Sequence, residues 1–167
     1  VVNITRSELD ALAQDAGIER ISVPHQIKAF LQNSVSVVNA TYVWPLQVNN
    51  LNLTGIGETI CVIDTGIDFT HNALRGKNKT CVIDCYNKEC VEDCSVGDAN
   101  GHGTHVAGIV AASGGITGIA PNASLIGVKI LDAQGNGHPI HAEIDLKAAI
   151  DWCVEKRNVY NISVITM

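Results

Sequence analysis

Residues 58–66 read ETICVIDTG, and the fold turns on how this stretch is taken. Four apolar residues, Ile60 to Ile63, run without a polar break and stop at Asp64-Thr65-Gly66. A strand with one face in water alternates apolar and polar residues. An unbroken run of this length is what a strand covered on both faces, inside a parallel sheet, requires. Working outward, SLIGVKIL (124–131) is a second core strand and ISVITM (162–167) a third. Between them lie two helical patterns. HVAGIVAAS (105–113) is studded with Gly and Ala, as a tightly packed helix needs. HAEIDLKAAIDWCVEKRN (141–158) sets Ile144, Ala148, Trp152 and Cys153 near one face. Strand, helix and strand in this order imply right-handed crossovers and a doubly wound, mostly parallel α/β sheet.

The first 32 residues differ. VVNI (1–4) reads as a strand. TRSELDALAQDAG (5–17) reads as a helix with Thr5 as N-cap, apolar Leu9, Leu12 and Ala13, and Gly17 as its stop. IERISV (18–23) resumes as a strand, and PHQIKAFLQNS (24–34) reads as an extended linker. Such a unit is too small to bury its own faces and must dock on something. The chain therefore divides into residues 1–32, part of a small α/β unit, and residues 33–167, an α/β domain.

Composition bounds the rest. The 167 residues are 46% hydrophobic and 17% charged, which is globular rather than disordered. A net charge of -6, with no basic run, argues against nucleic acid or an anionic membrane as partner. The longest apolar runs are strand-length, far below the roughly 18 residues of a membrane span. Six N-x-S/T sequons begin at Asn3, Asn39, Asn52, Asn78, Asn122 and Asn161. Chance supplies about two, so the excess favours a secreted, glycosylated protein. In that compartment Cys81, Cys85, Cys90 and Cys94 read as disulfide partners rather than zinc ligands, and their C-x3-C-x4-C-x3-C spacing is unlike the usual C-x2-C zinc pairs. Cys61, inside a strand, and Cys153, inside a helix, read as buried free thiols.

In an open parallel sheet, functional side chains collect at the carboxyl ends of strands, where Asp64 stands. Alone it reads as a turn-capping Asp. His102 shifts that reading, because it opens a helix directly after the glycine-rich DANG (98–101). The positive end of the helix dipole disfavours imidazolium and keeps the ring available as a base, which a carboxylate on its other nitrogen would orient. A zinc pair formed by His102 and His105 is the weaker alternative, since no glutamate lies between them as in H-E-x-x-H. His105 reads as a structural helix residue.

VIDTGID (62–68), NGHGTHVAG (100–108) and GIAPNASLIGVKIL (118–131) together resemble the consecutive blocks of the subtilisin-like serine proteases, the subtilases. The resemblance implies a subtilisin-like fold and peptide or protein substrates. His102 becomes the general base, with Asp64 its orienting carboxylate. Asn100 falls where the family often contacts the leaving-group side of the substrate. Gly135, Asn136 and Gly137 fall on the edge segment that pairs antiparallel with substrate, and Leu131 on an apolar pocket. Without the blocks, QGNG is a plain turn. Residues 1–32 resemble the end of an inhibitory propeptide, itself a partner of the enzyme, with the maturation cut at Gln32-Asn33. No cofactor is required.

Three departures qualify the resemblance. The chain stops at ISVITM, before the family's oxyanion-hole asparagine and its G-T-S-M/A nucleophile block, and Ser95, Ser113 and Ser124 stand in no such context. The expectation is a chain inert on its own. AASGGITGIAP (111–121) is shorter than the segment that often holds calcium in this family and offers no Asn or Asp ligands, so calcium there is not supported. The Cys-rich stretch 81–94 is an addition that reads as local stapling. Two other readings stay open: a non-catalytic, subtilase-derived module that holds peptides at the Gly135–Gly137 edge, and a Cys-rich metal-binding protein.

Overall fold

The computed structural model describes residues 5–15, 17, 31–77, 82–93 and 95–167. The expected strands at 1–4 and 18–23, and most of the expected linker, lie outside these residues. Helix α1 spans Arg6–Leu12 and starts with a complete capping box. The Thr5 hydroxyl accepts from the Glu8 amide while the Glu8 carboxylate accepts from the Thr5 amide. It stops at Leu12, five residues before the expected glycine, with Ala13 closing its last turn. Helices α2 (Leu31–Val37) and α3 (Ala40–Val43) follow. The last residues of the expected linker are therefore helical, because Leu31–Val37 holds no Gly or Pro to break a helix once its backbone can close.

A two-stranded hairpin of β1 (Gln47–Val48) and β2 (Leu51–Asn52) leads into β3 (Thr59–Asp64). Next come β4 (Val82–Asp84), β5 (Val91–Asp93) and helix α4 (His102–Ala111). A second hairpin, β6 (Ser113–Gly114) and β7 (Ile116–Thr117), precedes β8 (Ser124–Lys129). Helices α5 (Ala142–Glu155) and α6 (Arg157–Tyr160) and strand β9 (Ile162–Thr166) complete the described chain. The main sheet has the order β5-β4-β8-β3-β9. It is parallel at β4/β8, β8/β3 and β3/β9 and antiparallel only where the short β5 folds back on β4. This is an incomplete doubly wound α/β fold, as the unbroken apolar run predicts.

All six residues of β3 are buried, and their side chains alternate between two cores. Ile60 and Val62 pack with Leu125 against Ala107 and Ala111 of α4. Cys61 and Ile63 pack with Ile126 and Val128 against Ala149 and Cys153 of α5. Because side chains alternate along a strand, Asp64 falls on the same face as Ile60 and Val62, the face that α4 covers. The parity of one strand thus aims the carboxylate at the helix that carries His102.

Two expectations are corrected on the α5 side. The buried face of α5 is Asp145, Ala149 and Cys153, while Ile144 is exposed. A carboxylate can take that inward position because Lys88 N–H and His141 Nδ1 bond to it, each at 2.9 Å. Cys61 and Cys153 are not free thiols; they form a disulfide between β3 and α5. Both face the same core from opposite layers, which brings their sulfurs together. Cys85 and Cys90 form a second disulfide that closes the β4–β5 turn. Cys81 and Cys94 lie outside the described residues.

The Cys61–Cys153 bridge spans 92 residues. Restricting a loop of that length in the unfolded chain contributes about 4 kcal/mol. Denaturant titration of a Cys61→Ala/Cys153→Ala variant is expected to show a loss of that order. Unchanged stability would mean the bridge does not form.

Candidate active site

The turn after β3 and the start of α4 approach until their backbones touch. A Cβ on Gly103 would lie 2.1 Å from the Gly66 carbonyl oxygen and 3.1 Å from Asp64 Cβ, so only glycine fits. This contact puts the first residue of α4 beside the last of β3. His102 Nδ1 lies 2.8 Å from Asp64 Oδ1 and 2.9 Å from Oδ2. A carboxylate can only accept, so Nδ1 carries a proton and donates it to Asp64, leaving Nε2 as the ring nitrogen not bonded to the carboxylate. The Asp64 side chain is 7% exposed and that of His102 62%, so the carboxylate sits under the ring and the ring faces solvent. Thr65 N–H also donates to Asp64 Oδ1, at 2.7 Å, fixing the carboxylate plane.

One further carboxylate ties the two elements together. Asp98 Oδ1 accepts from the Thr65 hydroxyl at 2.8 Å, from Gly101 N–H at 2.9 Å and from Asn100 N–H at 3.1 Å. Its Oδ2 accepts from the Thr104 N–H at 2.8 Å and hydroxyl at 2.6 Å. Thr65 Oγ1 in turn accepts from Gly103 N–H at 2.9 Å. Asp98 thereby grips the residue after Asp64 and both flanks of His102. Partial burial works against its ionisation. The bonds from Thr104, Gly101 and Thr65 outweigh burial and hold its pKa below the usual carboxylate range.

Asn100 is exposed. Its Nδ2 donates to the Ala133 carbonyl at 3.0 Å and its Oδ1 accepts from His102 N–H at 3.2 Å, so it bridges the histidine to the 132–136 turn. That turn is closed by Asp132, whose N–H donates to Asn136 O at 2.9 Å and whose carboxylate accepts from Gln134 and Asn136 N–H. Gly135 occupies the left-handed region, φ 82°, and Gly137 forms an antiparallel bridge with half-buried Leu131. The three residues Gly135, Asn136 and Gly137 thus form a presented turn, joined to Leu131, beside the Asp64–His102 pair. Gln32 and Asn33 lie in α2.

Sequence reasoning missed Asp98 as a hub and missed Lys129. The Lys129 ammonium donates to the carbonyls of Thr65, at 3.1 Å, and Leu131, joining the Asp64 turn to the strand end. A single lysine inside SLIGVKIL was the available signal. His105 is exposed and, with Asp68, His71 and Thr104, lines a cavity of about 330 Å³ behind α4. Among the described residues no three His, Cys, Asp or Glu side chains are grouped to hold a metal ion. None of the described helices is long and apolar enough to cross a membrane.

Comparison with known proteins identifies the family. The family model described as the subtilase family, peptidase S8, matches residues 55–165. Serine protease AprX of Bacillus subtilis is 34% identical over 158 residues, 91% of this chain and 33% of that protein. The thermostable alkaline protease of Halalkalibacterium halodurans is 31% identical over 173 residues, 98% of this chain and 41% of that protein. The structure of Sphericase superposes with a TM-score of 0.60 at 31% identity, covering 77% of this chain and 42% of that one. The chain belongs to the subtilase family. It spans between a third and about two fifths of the length of these curated relatives.

Removing the Asp98 carboxylate strands donors on both elements. Asp98→Ala is expected to lower stability by about 2 kcal/mol in denaturant titrations at neutral pH, given the part-exposed site. Its folded pKa lies below the unfolded one, so the contribution is complete above the unfolded carboxylate value and disappears as pH falls through the folded value. Thermal melts of the two proteins should therefore converge as pH falls from the ordinary carboxylate range through the lowered folded value of Asp98. A gap that persists in acid would assign the effect to packing rather than charge.

Proposed function

We propose that the protein carrying this chain is a secreted serine endopeptidase that cleaves peptide bonds by acyl transfer, with His102 as general base and Asp64 as its orienting carboxylate. The observation that carries the reading is the Asp64–His102 pair: Nδ1 held by a buried carboxylate, and a ring open to solvent. Nε2 takes the proton of a serine hydroxyl as that oxygen attacks the scissile carbonyl, then returns it to the leaving amine. Asp64 fixes the tautomer and stabilises the imidazolium formed between the two steps. The serine and the oxyanion-hole donor belong to sequence outside these 167 residues, so this chain alone is inert in the proposed scheme.

Substrate lies along the presented 135–137 turn, its backbone bonding to that segment and an apolar side chain resting on Leu131. Asn100 stands beside the leaving-group side. Residues 1–32 act as the end of a propeptide that occupies the cleft until the Gln32-Asn33 bond is cut. The chemistry needs no cofactor. Two disulfides support an oxidising compartment, and with it secretion.

A fluorophosphonate probe reads this directly. The intact protein is expected to label on a serine and to hydrolyse peptides, while the isolated 167-residue chain stays unlabelled. His102→Ala in the intact protein should cut kcat by about 10⁴–10⁶-fold, and Asp64→Asn by about 10⁴-fold, with KM little changed. An intact His102→Ala protein that still cleaves at the parent rate contradicts the assignment. Labelling of the short chain would place the nucleophile within it.

A further inference from the structure

Four of the six sequons lie wholly on described residues, and all four asparagines are exposed: Asn39, Asn52, Asn122 and Asn161. Exposure therefore does not separate them. What separates them is the surroundings of the side-chain nitrogen, the atom to which N-glycosylation attaches a bulky sugar in place of one hydrogen. Asn122 Nδ2 donates to Thr54 Oγ1 at 2.9 Å, while its backbone N–H donates to Thr54 O, so it fastens the strand that enters β8 to the segment before β3. Asn161 Nδ2 donates to the Gly57 carbonyl from a left-handed residue, φ 54°, that ends α6 and starts β9. Both amides hold the sheet's entry loops together.

Asn39 and Asn52 are different. Asn39 takes the left-handed conformation, φ 57°, between α2 and α3, and its side chain makes no capping bond. Asn52 sits at the end of the β1/β2 hairpin, and only its Oδ1 is engaged, accepting from Gln47 Nε2 at 2.9 Å. Attaching a sugar to Nδ2 leaves that oxygen and its bond intact. Both residues stand within an exposed apolar stretch. Val37 is 77% and Tyr42 76% exposed, and Val38, Val48, Leu51 and Leu53 are also in contact with solvent. Exposed apolar side chains gathered along one stretch of chain favour a cover, and a carbohydrate rooted at each end of the stretch supplies one.

We propose that Asn39 and Asn52 carry N-linked glycans in the secreted protein, and that Asn122 and Asn161 do not. The proposal rests on secretion, part of the function proposed above, and is independent of the catalytic roles. The donor is a lipid-diphosphate-linked oligosaccharide. Asparagine Nδ2 attacks the anomeric carbon, an N–C bond forms, the C–O bond to the diphosphate breaks, and the lipid diphosphate leaves with the electron pair while Nδ2 passes one proton to a base of the transferase and keeps the other. Transfer precedes folding. A chain sugared at Asn122 or Asn161 must then seat a bulky group where the amide packs against Thr54 or Gly57, and such chains are lost from the folded pool.

The test directs the intact protein through a secretory pathway that performs N-glycosylation, using a heterologous signal sequence, and isolates the folded, secreted pool. Amidase release in ¹⁸O-water converts each glycosylated asparagine to ¹⁸O-labelled aspartate, read by peptide mass spectrometry. Residues 39 and 52 are expected to carry the label, with 122 and 161 remaining asparagine. An unlabelled Asn39 or Asn52, or a labelled Asn122 or Asn161, overturns the proposal. Thr41→Ala abolishes one sequon without touching Asn39, and should remove the mass of one glycan; an unchanged mass overturns the assignment at Asn39. Fluorophosphonate labelling of the same sample reports the protease reading separately.

Discussion

The backbone contact between Gly103 and the Gly66 carbonyl is the constraint on which the site depends. A helix start laid directly on the turn after a core strand leaves no room for a side chain, and the tightness is what brings a histidine and an aspartate from separate elements within one hydrogen bond. Touching backbones are not self-holding. The Asp98 carboxylate supplies the clamp, taking donors from the strand turn and from the helix start into one group. Thr65 closes the circuit by accepting from Gly103 N–H, so the glycine contact and the clamp are one structure. A site made this way is preorganised: its geometry is set by packing before any substrate arrives.

The same strand that places Asp64 also joins the two cores. Its even residues serve the α4 layer and its odd residues the α5 layer, and at Cys61 the α5 layer is covalently tied to it. Lys129 extends the arrangement to the neighbouring strand, its ammonium spanning the Thr65 and Leu131 carbonyls. The Asp64–His102 pair and the 131–137 segment thus rest on adjacent strand ends of one sheet. The turn that presents Gly135 to Gly137 is held by Asp132 and reached by Asn100, which is itself bonded to the His102 backbone. Hydrogen bonds through Asn100 thus join His102 to the presented turn.

Much of this was legible in the sequence, for a physical reason. An unbroken apolar run of strand length has few explanations, so β3, β8 and the parallel sheet followed from ETICVIDTG and SLIGVKIL. Asp64 and His102 stood at a strand end and a helix start, where position alone restricts chemistry. What was illegible depended on which side of a helix faces inward. Asp145 is buried on α5 with Lys88 N–H and His141 Nδ1 both on its Oδ1, partners remote or unremarkable in sequence, and apolar periodicity chose Ile144 instead. The Cys61–Cys153 bridge needed the same missing information, since only the inward register of α5 brings those sulfurs together. Asp98 escaped notice because a hub is defined by its donors, here three backbone amides and two hydroxyls of a kind that any sequence contains.

Among the described residues two histidines hold an aspartate through Nδ1, His102 at the site and His141 in the core. That pairing makes the central claim measurable by ¹⁵N and ¹H NMR on histidine-labelled intact protein at neutral pH, with Asp64→Ala and Asp145→Ala variants to assign the two rings. The account predicts that His102 Nδ1 carries a slowly exchanging low-field proton that vanishes in Asp64→Ala and survives in Asp145→Ala. A His102 ring that carries its proton on Nε2 alone, or one whose spectrum is indifferent to Asp64→Ala, would contradict it.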